Sequence, residues 1–579
     1  MVTLSNTQQT RQTRYGLFKL LGAVILLTIP ILVFWYVWST YAVNVPKWDD
    51  HALRQFLFNL DNQTSVSGKL FEFFRQHNEH RIVFDRFITW LDFNLFGKFS
   101  YRHLMVIGNL SLLGLVVIFG LVIGRSIGTQ TKNTKSKPED YVLYLPPVAF
   151  LLLNLSQWEN MFWGMAALQN FTVLMWVFWT IYLLAFTERI WPAFLLGLIA
   201  TLTSGNGLLI WPVGLGILVL QLVLEKRPNR NAILIWTAGA ICIIALYFLD
   251  YKKPPGNPPA TGGFIDLIKG WLAFNGSAVE AFPVGRAFAN CLIAGSIATV
   301  LVLGSWVYML EKGLVQKRFP AFSYFFVGTT AFLLGTAATV AWSRVGFGLH
   351  LLITSRYKIY SLLLLALIYS FVIIQQRKTG RLWAAGFGLV FSGLLMGGSY
   401  LTYLGDTIWW NNWLVTKQFN WTHNANNATI TLDSVSKRYT TLAPAFYDAA
   451  LPTMFDTTYQ SVVDLNVTKV QGDYELQNGT IPFQGSGDAG VFVLARSDRR
   501  TYLFPVRQNQ QSARKARFLP MNLFTDGFRS TISLSADDLV AGTYRLFVLT
   551  VSDGKNTLYP TNQRIESAGP SSTTLPKNW

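Results

Sequence analysis

The chain has 579 residues, 51% of them hydrophobic and only 13% charged, with a formal net charge of +18. Its length would suit several soluble domains, but apolar runs of membrane length override that expectation. The basic excess lies in short stretches beside those runs, which makes it a topology signal and excludes nucleic-acid binding as its explanation.

Eleven apolar runs are candidate membrane spans: 16–38, 103–124, 141–156, 171–187, 190–204, 206–224, 232–250, 286–310, 321–342, 358–375 and 382–403. The first contains "LLGAVILLTIPILVFWYVW". It is too long for a cleavable signal peptide and lacks a small-x-small cleavage site, so it reads as a signal anchor. Basic stretches precede the first span ("RQTRYGLFK") and follow the second ("RSIGTQTKNTKSK"), sixth ("EKRPNR"), eighth ("EKGLVQKR") and tenth ("QQRKTGR"). The positive-inside rule places them, and the N-terminus, in the cytoplasm. Loops 39–102, 157–170, 251–285, 343–357 and the chain after about 404 then face outward. Cys242 and Cys291 fall within spans and give no disulfide framework.

Just after the first span, "KWDDH" places Asp49 and Asp50 before a short amphipathic helix. One aspartate suffices to cap a helix, whereas two adjacent carboxylates at the mouth of a span suit a general base. Further on, "RQHNEHRIVFDR" packs two histidines, three arginines and two acids into residues 75–86. At 100° per residue, a helix over 69–92 places Leu70, Phe73, Phe74, Phe84 and Ile88 on one stripe. His77, His80 and Arg81 share that stripe, with Asp85 a turn beyond, while Glu72, Arg75, Glu79 and Arg86 lie opposite. Burying such groups unpaired costs several kcal/mol, so they need partners. Three readings stand: a structural knot pairing Arg81 with Asp85, a cleft for an anionic ligand, or metal ligation by His77 and His80 with no third ligand fixed by spacing.

The second outer loop, "SQWENMFWGMAALQN", carries Trp158, Glu159, Asn160 and Trp163, a set that suits sugar stacking and an interfacial belt alike. "TSGNG", residues 203–207, reads as a polar turn. In "WSRVGFGLHLLITSRYK", Arg344, Arg356 and Lys358 lie on the side the positive-inside rule disfavours, with no acid in the loop itself. They are expected either to hold an anion such as a lipid phosphate or to snorkel to the headgroups. The span interiors carry almost no charge, which argues against an ion-coupled translocation pathway.

From about 424 the chain turns polar, with short alternating runs such as "ATITLDS", "GVFVLARS" and "TYRLFVLTVS". An Asp553–Gly554 pair between two such runs predicts a hairpin. Residues 424–579 are expected to form an outer-face β-sandwich joined through "THNANNAT", with the membrane half folding independently of it. Trp409, Trp410, Trp413 and Trp421 are expected to sit at the membrane surface.

An acidic pair after the first span, a long first outer loop (39–102), about eleven spans and an outer C-terminal domain together resemble the GT-C class of membrane glycosyltransferases. "KWDDH" resembles that class's acidic motif, and "QHNEHRI" and "TSRY" are similar to patterns in its bacterial members. The resemblance covers roughly 1–410. It implies an all-α polytopic protein of a bacterial inner membrane, taking a sugar from a polyprenyl phosphate in an inverting transfer at the outer face. The acceptor would be a glycan, lipid or protein of the envelope, and membrane lipids would surround the site. By position, Asp49 matches the family's base, with Asp50 second. Charge and topology, more than a motif match, place Arg344, Arg356 and Lys358, with Arg81, on the leaving phosphate; the resemblance supplies no role for the histidine-rich run, and His77, Glu79, His80, Trp158 and Glu159 are expected to line the cleft. The resemblance leaves a divalent metal open and does not extend to the sandwich. A polysaccharide polymerase or ligase, and a lipid or polysaccharide transporter, are the rival readings.

Overall fold

A computed structural model describes residues 2–130, 141–225, 230–253, 258, 262–282, 285–316, 319–423, 438–441, 461–482, 490–511, 523–534, 539–552 and 555–569, with the backbone alone over 2–17. The chain divides into two compact units. A helical unit comprises Met1–Val37, Thr64–Ile88 and Leu104–Thr402, and a mixed unit comprises Trp38–Gln63, Thr89–His103 and Tyr403–Trp579. The segment 39–102 is therefore divided between them.

Among the described residues, nine helices are long and apolar enough to cross a membrane. They are Phe18–Tyr41, Tyr101–Thr129, Gly164–Phe186, Gly205–Glu225, Arg230–Tyr247, Ala287–Gln316, Ala321–Phe347, Ser355–Gln375 and Lys378–Asn420. Two of the eleven expected spans are not of this kind. Ile190–Thr203 has 14 residues, about 21 Å at 1.5 Å per residue, short of a hydrocarbon core of about 30 Å. The run 141–156 is broken. Pro146 and Pro147 start a helix that ends at Leu152, after seven residues. Asn154 then donates to the Leu151 carbonyl at 2.6 Å and accepts from the Ser156 N–H at 2.9 Å, holding a turn. Leu151, Leu152, Leu153 and Leu155 are all buried, so this segment is apolar because it packs inside the unit.

Close helix contact in the helical unit uses glycine. A Cβ on Gly295 would lie 1.7 Å from the Leu272 carbonyl oxygen, and one on Gly276 would lie 2.0 Å from that of Cys291. The Gly263–Asn275 and Ala287–Gln316 helices thus meet backbone to backbone, the usual use of small residues where lipid offers no hydrophobic drive.

The C-terminal part of the mixed unit holds two antiparallel four-stranded sheets. The strands are β1 (Asn466–Val470), β2 (Asp473–Asn478), β3 (Gly490–Arg496), β4 (Thr501–Pro505), β5 (Arg507–Gln510), β6 (Phe524–Ile532), β7 (Gly542–Ser552) and β8 (Lys555–Ser567). One sheet has the order β1-β2-β6-β5 and the other β4-β3-β7-β8. The run "TYLFPVRQ" therefore changes sheet at Val506, which is buried. Both sheets contribute to one apolar cluster, with Leu476, Phe528 and Ile532 from the first and Val493, Phe504, Leu546 and Val548 from the second. Ser552 pairs with Lys555, so a two-residue connection joins β7 to β8 as expected; Asp553 and Gly554 themselves lie outside the described residues, as do "ATITLDS" and most of "THNANNAT".

The Lys378–His423 helix runs on into this region. Its Val415 and Phe419 pack against Phe492, Leu494, Leu503, Phe547, Leu549, Val551 and Leu558. The Asn420 amide donates to the Leu503 carbonyl at 3.0 Å and accepts from the Leu503 N–H at 2.8 Å, so one side chain satisfies part of the edge strand β4. The tryptophans also turn inward within the mixed unit. Trp410 is buried, and the Lys47 ammonium stands 2.9 Å from its ring centroid and 3.7 Å from that of Trp48. Trp409 stacks on Trp413 at 6.0 Å and carries the Arg507 guanidinium at 4.3 Å. The expected belt is thus in part a cation–π cluster, and the Trp421 side chain lies outside the described residues.

Candidate functional site

Residues 69–92 do not form one helix. Val66–Phe74 and Val83–Phe96 are separate helices. Between them the chain reverses: the His77 N–H donates to the His80 carbonyl and the His80 N–H to that of His77, both at 2.8 Å. Asn78 takes a left-handed φ of 46°, which asparagine tolerates better than most residues. The helical-wheel stripe shared by the histidines and the phenylalanines is therefore corrected: the histidines flank a tight turn.

The arginines explain why the turn holds. A helix ends with carbonyls that lack partners. Arg86 donates to the Phe73 carbonyl at 2.9 Å and also to that of Arg75. Arg81 donates to the Phe74 carbonyl at 2.6 Å, to the Tyr247 carbonyl at 2.6 Å, and to that of Leu249. One guanidinium thus ties the C-terminal ends of two helices, Val66–Phe74 and Arg230–Tyr247. Among the described residues its guanidinium donates to backbone carbonyls and not to Asp85, so the expected Arg81–Asp85 knot is corrected. Burial pulls the Arg86 guanidinium down to about 10, with the nearby Arg75 charge adding to the effect.

The cations of the 343–358 segment have acids after all, supplied by other segments. Arg344 pairs with Glu79 of the turn. Arg356 pairs with Glu159 at 3.4 Å and lies 5.6 Å from the Trp163 ring centroid. Lys358, buried, pairs with Glu280. Glu159 is also within electrostatic range of Lys358, so the second and third pairs are neighbours. The expectation of a cationic loop without compensating acids is thereby corrected, because it considered the loop alone and the acids come from 265, 197 and 78 residues away in the chain. Glu280 was missed at the sequence level; it and Asp266 are the acids of the 251–285 loop, which was the available signal.

Neutral polar groups bind these pairs together. Ser355 donates to the Ser156 carbonyl at 2.9 Å and accepts from the Glu159 N–H at 3.1 Å. Asn160 donates to the Arg356 carbonyl at 3.0 Å. "TSGNG" is more than a turn: the Gly205 N–H donates to His80 Nδ1 at 3.2 Å, and Asn206 donates to the Tyr360 hydroxyl at 2.7 Å. A Cβ on Gly205 would lie 2.7 Å from His80 Nδ1, so the glycine lets His80 approach. His80 Nε2 stands 3.8 Å from Glu79. Trp163 is buried under Arg356, which removes it as a sugar platform, while Trp158 is half-buried. Among the described residues no group of three or more histidines, cysteines and acids could hold a metal, so His77 and His80 gain no third ligand there.

The acidic pair belongs to the mixed unit. Asp50 is fully buried, and its carboxylate accepts the Lys47 N–H at 3.1 Å, closing a 3-10 turn over Trp48–Asp50. Asp49 is half-buried. The next residue, His51, is buried with its Nδ1 against Arg54. Burial first, and the Arg54 charge second, pull His51 down to about 3. No family model, curated protein or solved structure matches the chain.

Proposed function

We propose that the protein is a polytopic membrane glycosyltransferase that takes a sugar from a polyprenyl phosphate and passes it to an envelope acceptor. The carrying observation is the set of three acid–cation pairs, Glu79–Arg344, Glu159–Arg356 and Glu280–Lys358, at the loop ends of apolar helices. Lys358 is buried beside Glu280, and a buried ion pair recovers little net stability after desolvation, so this pair suits a ligand better than it suits folding. A phosphate can take the place of the carboxylates on Arg344, Arg356 and Lys358. Arg81, bonded to three carbonyls, is left out of that set. The loops that carry the cluster are the ones the positive-inside rule assigns to the outer face, with the N-terminus in the cytoplasm. On this reading the two sheets are the layers of an outer sandwich.

In the reaction, an acceptor hydroxyl attacks the anomeric carbon and the bond from that carbon to the phosphate oxygen breaks. The electron pair leaves with the polyprenyl phosphate, and a carboxylate takes the hydroxyl proton. Fixed cations stabilise the phosphate as its charge grows. Asp49 is assigned as the base by its match to the acidic motif of the GT-C class, whereas Asp50 is fully buried.

The test uses polyprenyl phosphate as probe, with neutral polyprenol as control, on the full chain in lipid nanodiscs. Arg356→Ala should weaken polyprenyl-phosphate binding about tenfold or more, and polyprenol should bind wild type poorly. Asp49→Asn should keep binding and lose about 10²–10⁴-fold in single-turnover transfer. Equal binding of both lipids, unchanged by Arg356→Ala, would remove the donor assignment. Full transfer activity in Asp49→Asn and Asp50→Asn alike would remove the base and favour the polymerase reading.

A further inference from the structure

A second polar site lies wholly within the mixed unit. Asn44, Phe96, Gly97, Lys98, Phe99, Ser100, His103 and Thr441 line an open groove of about 580 Å³, within the usual range for small-ligand sites. Its walls are set by backbone ties. The Asn44 amide accepts from the Tyr101 N–H at 2.8 Å and donates to the Thr441 carbonyl at 2.9 Å. Gly97, at φ 73°, turns the chain after the Val83–Phe96 helix.

One side chain in the groove is held for use. Asp92 is buried; one oxygen accepts the Ser100 N–H at 2.8 Å and the other lies 2.8 Å from His103 Nδ1. A carboxylate oxygen only accepts, so Nδ1 carries a proton, and in the neutral imidazole Nε2 presents a lone pair. The imidazole is 45% exposed, and among the described residues nothing bonds Nε2. The Phe96 ring stands 5.0 Å from the imidazole and is 65% exposed. Lys98 and Ser100 also line the groove.

We propose that this groove binds a saccharide, with a sugar ring lying on Phe96 and one of its hydroxyls donating to His103 Nε2. An exposed aromatic face takes the apolar C–H face of a sugar, and an oriented acceptor, an ammonium and a hydroxyl match its rim of hydroxyls. Asp92 is the positioning residue that fixes the imidazole tautomer. The groove stands on its own residues; identifying its saccharide with the transfer acceptor rests on the glycosyltransferase reading.

The experiment screens the full chain in nanodiscs against an array of neutral and acidic oligosaccharides, then titrates the best binder. At least one array saccharide should bind, and Phe96→Ala and His103→Ala should each weaken it about tenfold, the loss of one good contact. Asp92→Asn should weaken it less, with His103 still present. Both alanine variants alter exposed side chains, and an unchanged melting curve confirms their folding. An array with no binder, or binding equal in wild type and both alanine variants, would overturn the proposal. Saccharide binding without any detectable sugar transfer would support the groove and count against the transferase.

Discussion

His51 shows how one buried side chain sets a pH limit on the mixed unit. Its folded value of about 3 lies below the ordinary imidazole value of 6.5. Between those values the unfolded chain binds more protons than the folded one, so this residue's stabilising effect is full above about 6.5 and falls as pH drops toward 3. The slope reaches about 1.4 kcal/mol per pH unit inside that window. His51→Gln keeps an acceptor toward Arg54 but cannot be protonated. Wild type should therefore lose more thermal stability than His51→Gln between pH 7 and pH 4, and parallel losses would refute the assignment. At this scale the sequence was a partial guide. Arg344, Arg356 and Lys358 stood out by charge, and Glu79 and Glu159 by their loops. Which acid meets which cation was not legible, because pairing is set by folding across 265 residues for Arg344–Glu79 and 197 for Arg356–Glu159, and spacing says nothing over such lengths.

The elements misread were those whose local pattern was overruled by backbone bonding. The periodicity of 69–92 fits a helix, yet Arg81 and Arg86 cap the carbonyls at Phe73, Phe74 and Arg75 and so stabilise a helix end there. The hairpin β7–β8 was readable, since its turn chemistry is local. Independence of the membrane half was not. A chain cut near 420 retains Val415 and Phe419 but loses the seven side chains that cover them. It should aggregate in detergent, where the full chain stays monodisperse by size-exclusion chromatography. Val415→Ser with Phe419→Ser in the truncated chain should restore a monodisperse peak. A monodisperse unaltered truncation would show that the helix end needs no cover.

At the scale of the molecule, length and apolarity were legible, and nine of the eleven runs correspond to membrane-long helices among the described residues. The two exceptions are apolar for another reason or too short, and composition alone cannot separate a buried turn such as 145–155 from a span. Orientation follows from charge and is tested by chemistry. With Cys242 and Cys291 replaced by serine, single cysteines at Thr129 and at Asp498 should react with a membrane-impermeant maleimide from opposite faces of intact cells or vesicles. Labelling from one face at both positions would overturn the topology, and with it every loop assigned to the outer side.

The shared cluster around Val415 and Phe419 also has a kinetic side. Its helix is complete at residue 423, but Leu558, the last side chain that covers Phe419, is made about 140 residues later. At 5–20 residues per second that delay is roughly 7–28 s. During synthesis, then, an apolar helix tip waits, uncovered, for strands that do not yet exist. The interval is long compared with hydrophobic collapse, so the nascent chain depends on a chaperone or the lipid surface to shield that tip until β8 emerges.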